Sequence, residues 1–125
     1  MQLVIDQVTK SGYGAVVTFV GTVRDNSEGK QVLYLEYDAY PEMAKKKLNE
    51  IATEIQARWD SIDVAIVHRV GRLEIGEAAI VIAVGSAHRL EAFQACQHAI
   101  DRIKEIVPIW KKEFYEDSSA WIGHN

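Results

Sequence analysis

The stretch Lys104-Glu105-Ile106-Val107-Pro108-Ile109-Trp110-Lys111 marks the point where a long helix ends and a strand begins. Upstream of it, a stripe of mostly apolar residues recurs at spacings of three and four, the helical period: Phe93, Cys96, Gln97, Ile100, Ile103, Lys104 and Val107. Pro108 cannot continue a helix, so the sequence predicts a helix that ends near Val107. Lys104 then lies on or beside the core-facing stripe, although a lysine at a helix C-terminus also favourably meets the helix dipole.

Working outward, hydrophobic patterning predicts a buried strand over residues 14–21 and an alternating strand over residues 31–38, hydrogen-bonded to the first. Tyr40-Pro41 then opens a helix, because proline suits the first helical turn. Its apolar stripe is Ala44, Leu48, Ile51, Ala52, Ile55 and Trp59. Lys45, Lys46 and Lys47 beside that stripe are expected to form a solvated face.

Two more strands are predicted over residues 61–70 and 78–84, the latter covered on both faces because it is almost entirely apolar. Gly71 and Gly76 are expected to bracket a tight connection, and Ser86 to cap the second long helix. A strand through Tyr115, an acidic turn and a short strand around Trp121 complete the chain. The order β-β-α-β-β-α-β-β predicts an α+β fold with a mixed or antiparallel sheet.

Composition limits the class of protein. The 125 residues suffice for a single domain, expected to span residues 1–125 with residues 1–13 as a short N-terminal arm that holds an edge strand or a loose segment. A net charge of −4 disfavours a nucleic-acid binder. No apolar run approaches the roughly 20 residues that cross a membrane, and no secretory signal is apparent. The single cysteine, Cys96, excludes an intramolecular disulfide and fits a reducing, cytoplasmic location.

Five potential cations stand out in this acidic chain: Arg24, His88, Arg89, Lys104 and Lys111. Arg24 follows a predicted strand, where site residues concentrate, and His88 and Arg89 lie at a helix start, where cations are disfavoured. Taken singly, Arg24, Lys104 and Lys111 are more typical of surface charges than of ligand contacts. For His88 and Arg89 the two interpretations are equally favoured. If they converge, they form a pocket for a phosphate or carboxylate. A partly desolvated lysine among other cations has a pKa below its usual ~10.4 and becomes a usable nucleophile or base.

Other chemistries lack support in the sequence. Gly12-Tyr13-Gly14 precedes a strand, so it is not a dinucleotide fingerprint. Cys96 and His98 are two apart on a helix and point in different directions, which makes a metal site there unfavourable. Cys96 is expected to be a small buried hydrophobe and His68 a hydrogen-bonded strand histidine. No metal and no cofactor are expected.

Several motifs, in order, closely resemble the MoaE family, the large catalytic subunits of molybdopterin synthase. They are residues 14–24, His68-Arg69-Val70-Gly71, Ser86-Ala87-His88-Arg89, Lys104, and Pro108-Ile109-Trp110-Lys111-Lys112-Glu113. The resemblance runs from about Gly14 to Trp121. It implies an α/β-hammerhead fold and a sulfurtransferase that converts cyclic pyranopterin monophosphate to molybdopterin. Sulfur is implied to come from the thiocarboxylated C-terminal Gly-Gly of a small ubiquitin-like subunit, within a heterotetramer built on a dimer of large subunits.

The resemblance also implies roles for particular residues. Lys104 and Lys111 resemble the essential lysines, with Lys104 as the hypothesised reactive amine and Lys111 as the stabiliser of negative charge, although the two roles are exchangeable. The implied substrate-binding set is Thr22, Val23, Arg24, His88, Arg89, Lys104, Lys111, Lys112 and Glu113. His88 is hypothesised to move a proton near neutral pH. Two alternatives stay open: a non-catalytic module that binds small anions, and one that only docks a ubiquitin-like partner.

Overall fold

The computed structural model describes residues 1–122, so His124 lies outside the described residues. In chain order the elements are α1 (Gln2–Val8), β1 (Ala15–Thr22), β2 (Asn26–Ser27), β3 (Lys30–Gln31), β4 (Tyr34–Ala39), α2 (Pro41–Arg58), β5 (Ile62–His68), β6 (Gly71–Glu74), β7 (Ala78–Ser86), α3 (Arg89–Ile106), β8 (Ile109–Phe114) and β9 (Ser119–Ile122). No helix in this part of the chain is long and apolar enough to cross a membrane.

The first sheet is antiparallel, with strand order β1-β7-β5. Its central strand, β7, is buried over most of its length, as its apolar sequence predicts. Val4 and Val8 of α1 pack on one face of β7 against Ala83. Ile82 and Val84 face the main core, which α2 and α3 cover. Both faces of β7 are therefore closed to solvent.

The second sheet is antiparallel, with strand order β6-β4-β8-β9. Leu35 and Leu73 pair across β4 and β6 and are buried with Val23, Val32 and Ala79 in a smaller core. The junction at Pro108 is tight, since the Ile109 N–H donates to the Val107 carbonyl at 2.9 Å. This turn brings β8 back beside the last turn of α3.

The α+β class with antiparallel pairing is confirmed, as are both long helices, the start of α2 at Pro41 and the last two strands. Lys45 and Lys46 are exposed, in agreement with a solvated face, whereas Lys47 is half-buried and pairs with Glu50 at 3.2 Å. The predicted pairing of the first two long strands is wrong. β1 pairs with β7, and β4 pairs with β6 and β8, because the β2–β3 ribbon carries the chain from one sheet to the other.

β1 is also not a buried strand. It lies at the edge of its sheet, and Val16 and Phe19 are each 37% exposed. The β-branched run indicated a strand correctly but carried no information about its place in the sheet, because an edge strand that packs on one face has the same composition.

Residues 1–13 contain neither an edge strand nor a loose arm. Residues Gln2–Val8 form α1, and the backbone of Gly85 allows its close approach, since a Cβ at position 85 would overlap the Val8 carbonyl.

The expected tight connection between Gly71 and Gly76 is also wrong. Residues Gly71–Glu74 form β6, and both glycines have positive φ at the turns that flank it. Short elements of this kind are stabilised by tertiary packing rather than by local pattern.

Ser86 does not cap α3. It is 1% exposed and pairs with Ala15 and Ile62 as the last residue of β7, so strand pairing delays the helix until Arg89, with His88 as the N-cap residue. The buried face of α3 also differs from the predicted stripe. Phe93 is 59% exposed, and alanines at 92, 95 and 99 are fully buried, because small residues let the helix pack closely on the sheet.

Candidate active site

A cavity of about 300 Å³ lies where the open end of the first sheet, the last turn of α3 and the inner face of β8 meet. Its lining contains Phe19, Gly21, Thr22, Arg24, Tyr37, His68, Ala79, Ile80, Ile100, Ile103, Lys104, Ile109 and Lys111. The lining therefore combines apolar side chains with three basic ones, Arg24, Lys104 and Lys111. Such a site suits a ligand with a flat or apolar body and an anionic group.

Each cation reaches the cavity from a different element. Arg24 follows the end of β1, where the Val23 N–H donates to the Glu77 carbonyl at 3.0 Å and so fixes the exit of the chain. Lys104 lies in the last turn of α3. Lys111 is on β8 opposite Tyr37, on the strand face that also carries Ile109. The Pro108 turn thus joins two lysines seven positions apart into one site.

The charge in the cavity is unbalanced. Within residues 1–122, Arg24, Lys104 and Lys111 make no ion pair, and no carboxylate lines the cavity. Arg69, Arg72 and Arg102, in contrast, each lie within 3.2 Å of a glutamate oxygen. Like charges held together without a counter-charge destabilise the protein unless an anion binds among them. The unpaired positive charge therefore favours binding of an anion in the cavity.

Lys111 shows the electrostatic effect of this arrangement. Burial lowers the pKa of its ammonium group below the ordinary value, and the positive charges of Arg24 and Lys104 lower it further, while Glu113 opposes the change. The influence of Arg24 and Lys104 on Lys111 reflects how close the three cations are. The sequence predicted that a partly buried lysine among other cations has a lowered pKa, and Lys111 is the lysine with this property.

Three residues of the expected substrate-binding set do not line the cavity. Val23 is buried in the smaller core, and Lys112 lies on the opposite face of β8, with Nζ over the rings of Phe114 and Trp121 at 5.2 and 5.5 Å. Glu113 is 3% exposed, and the Tyr115 hydroxyl donates to its Oε1 at 2.6 Å. That bond raises the pKa of Tyr115 to about 12.

His88 and Arg89 are also absent from the cavity lining. They are exposed at the start of α3, just beyond Ser86, which pairs with Ala15 at the first residue of β1. Thr22, beside the cavity, is at the other end of the same strand. Seven residues of extended chain separate the two ends by about 23 Å. One copy of the chain therefore brings together three of the five expected cations, and the helix start lies elsewhere.

The structure also adds cavity residues that the sequence patterns did not single out as site residues, chiefly Phe19, Tyr37 and His68. His68 is the last residue of β5, and its Nδ1 lies 2.8 Å from the Arg69 carbonyl, which confirms the expected hydrogen-bonded strand histidine. Its position at a strand end was the available signal, because side chains at strand ends often line sites. Along β5, however, His68 alternates with Val64 and Ile66, a pattern that is also typical of a core position.

Comparison with known proteins agrees with these features. The family model described as MoaE protein matches residues 1–106. The molybdopterin synthase catalytic subunit of Halalkalibacterium halodurans is 57% identical over 123 residues, which cover 98% of this chain and 79% of that protein. The Bacillus subtilis catalytic subunit is 52% identical over 120 residues, covering 96% of this chain and 76% of that protein.

The crystal structure of molybdopterin synthase from Staphylococcus aureus has the same fold. It superimposes with a TM-score of 0.96 and 48% identity, over 99% of this chain and 90% of the other. The match covers both sheets, all three helices and the elements that form the cavity. The chain therefore belongs to the MoaE protein family.

Proposed function

We propose that the cavity holding Arg24, Lys104 and Lys111 is the substrate site of a molybdopterin synthase catalytic subunit. The chain is a sulfurtransferase of molybdenum cofactor biosynthesis. One observation carries the assignment of the site: three cations without ion-pair partners within residues 1–122 share one cavity with apolar lining residues that include Phe19 and Ile100. A phosphorylated pterin, cyclic pyranopterin monophosphate, has the complementary combination of an anion and a flat ring.

The sulfur in this proposal arrives on a partner. The relatives are named as catalytic subunits, which implies a second subunit. We propose a small ubiquitin-like protein whose C-terminal Gly-Gly thiocarboxylate enters the cavity. Cys96 supports an external sulfur source, because it is buried and burial raises the pKa of its thiol. A buried thiol with a raised pKa is a poor nucleophile and a poor sulfur carrier. The single cysteine also supports a reducing, cytoplasmic location.

The two lysines have complementary positions in the proposed reaction. Lys104 is exposed at the cavity and is available to the carbonyl carbon of an incoming tail, as nucleophile or proton acceptor. Lys111 is half-buried and stabilises the negative charge that develops on sulfur or phosphate. Thr22 and Arg24 are proposed to contact substrate directly. For Val23, Lys112 and Glu113 the proposed contribution is support of the β1 exit and of β8.

The proposed roles of His88 and Arg89 require a second copy of the chain. Within one copy they lie at the far end of β1 from the cavity. A dimer of large subunits allows the helix start of one copy to supply cations to the cavity of the other. This arrangement agrees with the proposed heterotetramer of two large and two small subunits. We also propose that residues 1–125 act as one domain, since α1 and β8 pack on cores formed by the middle of the chain.

The deciding experiment combines the protein with a thiocarboxylated small subunit and cyclic pyranopterin monophosphate, and measures dithiolene product. We expect product with the wild type and with Lys46→Ala, a matched control whose lysine is exposed on α2. Lys104→Ala is expected to lose activity by about 100-fold or more. Equal product from Lys104→Ala would remove its reactive role. Tight pterin binding without product, given a competent partner, would instead support the anion-binding module.

The dimer requirement has its own test. Arg89→Ala and Lys111→Ala homodimers are each expected to be weakly active. When the two variants are co-expressed, mixed dimers contain one cavity with an intact Lys111 from one copy and an intact Arg89 from the other. Activity is then expected to recover toward a quarter of the wild-type level, because about half of the dimers are mixed and each has one complete site. Absence of recovery in verified mixed dimers would place Arg89 outside the site.

A further inference from the structure

His68 is a titratable side chain in the cavity that the proposed reaction leaves without a role. It ends β5 and lines the same cavity as Lys104 and Lys111. It also lines a second, adjacent cavity of about 280 Å³ with Asp38, Lys45 and Ile109. Its ring meets the edge of Tyr37 with centroids 5.0 Å apart. The imidazole is therefore held by packing beside the site where the cations meet.

The hydrogen bond at Nδ1 defines the state of the ring. Nδ1 lies 2.8 Å from the Arg69 carbonyl oxygen, and a carbonyl can only accept, so Nδ1 carries the proton. The neutral ring then has its lone pair on Nε2. Within residues 1–122, Nε2 has no hydrogen-bond partner. The Arg69 carbonyl thus acts as the orienting group that presents Nε2 as an acceptor.

The surroundings favour the neutral ring. The groups that face His68 across the two cavities are Arg24, Tyr37, Asp38, Lys45, Lys104 and Lys111. Burial lowers the pKa of His68 below its ordinary value of 6.5, although the bond to the Arg69 carbonyl partly opposes this. Burial also raises the pKa of Tyr37, whose hydroxyl therefore stays protonated. Near pH 7, His68 is accordingly the uncharged base among the cations of the cavity.

We propose that His68 is a further catalytic residue, the general base that accepts a proton at Nε2 when the sulfur leaves the partner's tail. This inference rests on the proposed function. Once the tail is joined to the substrate through sulfur as a thioester, water attacks the carbonyl carbon. A C–O bond forms, the C–S bond breaks, and its electron pair leaves with the sulfur that remains on the substrate. One proton of the water passes to Nε2, and the new carboxylic acid loses its own proton to solvent.

This role resembles the proton transfer that was hypothesised for His88 from the family resemblance, but it belongs to a different histidine. His88 is exposed at the N-cap position of α3 and does not line the cavity of its own copy. His68 lies in the cavity of each copy, beside both lysines. A base must come within hydrogen-bond reach of the proton it accepts, directly or through one water. His68 meets this condition within each copy, so proton transfer is assigned to it, and the helix start of the second copy is proposed only to bring positive charge to the cavity.

The test measures kcat and KM against pH for wild type, His68→Gln and His68→Ala with the thiocarboxylated partner. Wild-type kcat is expected to fall at acidic pH, with a midpoint below 6.5, as Nε2 becomes protonated. In His68→Gln, kcat is expected to be about 100-fold lower, with KM little changed and the acidic limb absent. Added imidazole is expected to restore several-fold activity to His68→Ala, because the truncated side chain leaves room beside the cavity.

A matched control is His98→Gln. His98 lies outside the cavity, where α3 meets α2, and pairs with Glu54, so this variant should keep the wild-type dependence of kcat on pH. Thermal unfolding of each variant separates loss of folding from loss of the base. The proposal would be overturned if folded His68→Gln had a kcat within a few-fold of wild type and still lost activity at acidic pH. If His68→Ala does not fold, the profile of His68→Gln decides. An inactive wild type with a competent partner would instead refute the proposed function.

Discussion

The α2–α3 surface, formed by Glu54, His98 and Arg102, and the cavity both contain basic side chains. A carboxylate balances the positive charge on the surface but not in the cavity. On the surface, Arg102 donates to both oxygens of Glu54 at 3.1 and 3.0 Å, and His98 Nε2 lies 3.1 Å from the same carboxylate. In the cavity, Arg24, Lys104 and Lys111 converge without a carboxylate among the lining residues. Balanced charge stabilises a fold modestly, whereas unbalanced charge is retained at a cost and indicates an anionic ligand.

The sharpest test of the contrast is Lys111→Ala, which we expect to lower turnover by about 10²–10³-fold, because it removes the cation that we propose stabilises developing negative charge. Stability should not fall with it. The pKa of Lys111 is lowered in the fold, so the folded state binds its proton less tightly than the unfolded chain does. Turnover and thermal unfolding of the same preparation provide the measurement, and a large loss of stability would contradict the contrast.

The same contrast predicts that inorganic phosphate protects the protein. An anion that binds only the folded state raises the free energy of unfolding by about 2.7 kcal/mol at 100 times its Kd. We expect phosphate to raise the unfolding temperature of the wild type, and a matched concentration of chloride to raise it less. Lys111→Ala should lose most of this protection, whereas Arg102→Ala should retain it. Equal protection of Lys111→Ala would place the anion elsewhere.

On the α2–α3 surface, Glu54→Ala removes the shared acceptor of His98 and Arg102. Because the three side chains are partly exposed, the expected loss is only about 1 kcal/mol of unfolding free energy, with turnover unchanged. Chemical denaturation and the dithiolene assay measure the two effects. A turnover loss as large as that of Lys111→Ala would show that this surface also takes part in the reaction.

The pH dependence of stability distinguishes the regions further. Arg102 and, more weakly, His98 lower the pKa of Glu54, so this carboxylate contributes stability above its unfolded pKa and loses it as pH falls through the folded one. Unfolding free energy should therefore decline below about pH 4.5 more steeply in wild type than in Glu54→Gln. Denaturant titrations from pH 3 to 7 test this, and parallel curves for the two proteins would refute it.

The smallest effect is expected at the chain's only cysteine. Cys96→Ala should leave turnover within about two-fold of wild type, because the thiol is buried in the main core and burial raises its pKa. Stability should fall by about 1 kcal/mol through the lost packing of the sulfur. A strong loss of turnover in folded protein would mean that sulfur passes through this chain's own thiol.

The sequence predicted those parts of the fold whose pattern is local. Both long helices and the buried strand β7 have enough periodic or continuous hydrophobic character to be identified alone. The partner of β1 was not predictable in this way, because β7 lies more than fifty residues further along the chain. The helix α1 has only seven residues, so its packing on β7 determines its structure.

For the site, the unusual placement of Arg24, Lys104 and Lys111 was sufficient to group them, and the structure brings these three to one cavity. His68 was predicted to be a hydrogen-bonded strand histidine and not a site residue, because alternation with Val64 and Ile66 is also the pattern of a core histidine. His88 and Arg89 were grouped with the others because sequence motifs carry no information about which end of β1 they adjoin. Only the register of β1 in the structure shows that the helix start and the cavity lie at opposite ends of this strand within one copy.

The close approach of Val8 to Gly85 has a consequence for how the chain is made. Helix α1 is synthesised before β7 and cannot cover its apolar face until Gly85, 77 positions after Val8, has also been made. Until then Val4 and Val8 stay exposed on the nascent chain, and closing so long a loop costs entropy that only the assembled sheet offsets. Helix α1 therefore reaches its final position only after β7, the strand on which it packs, has formed.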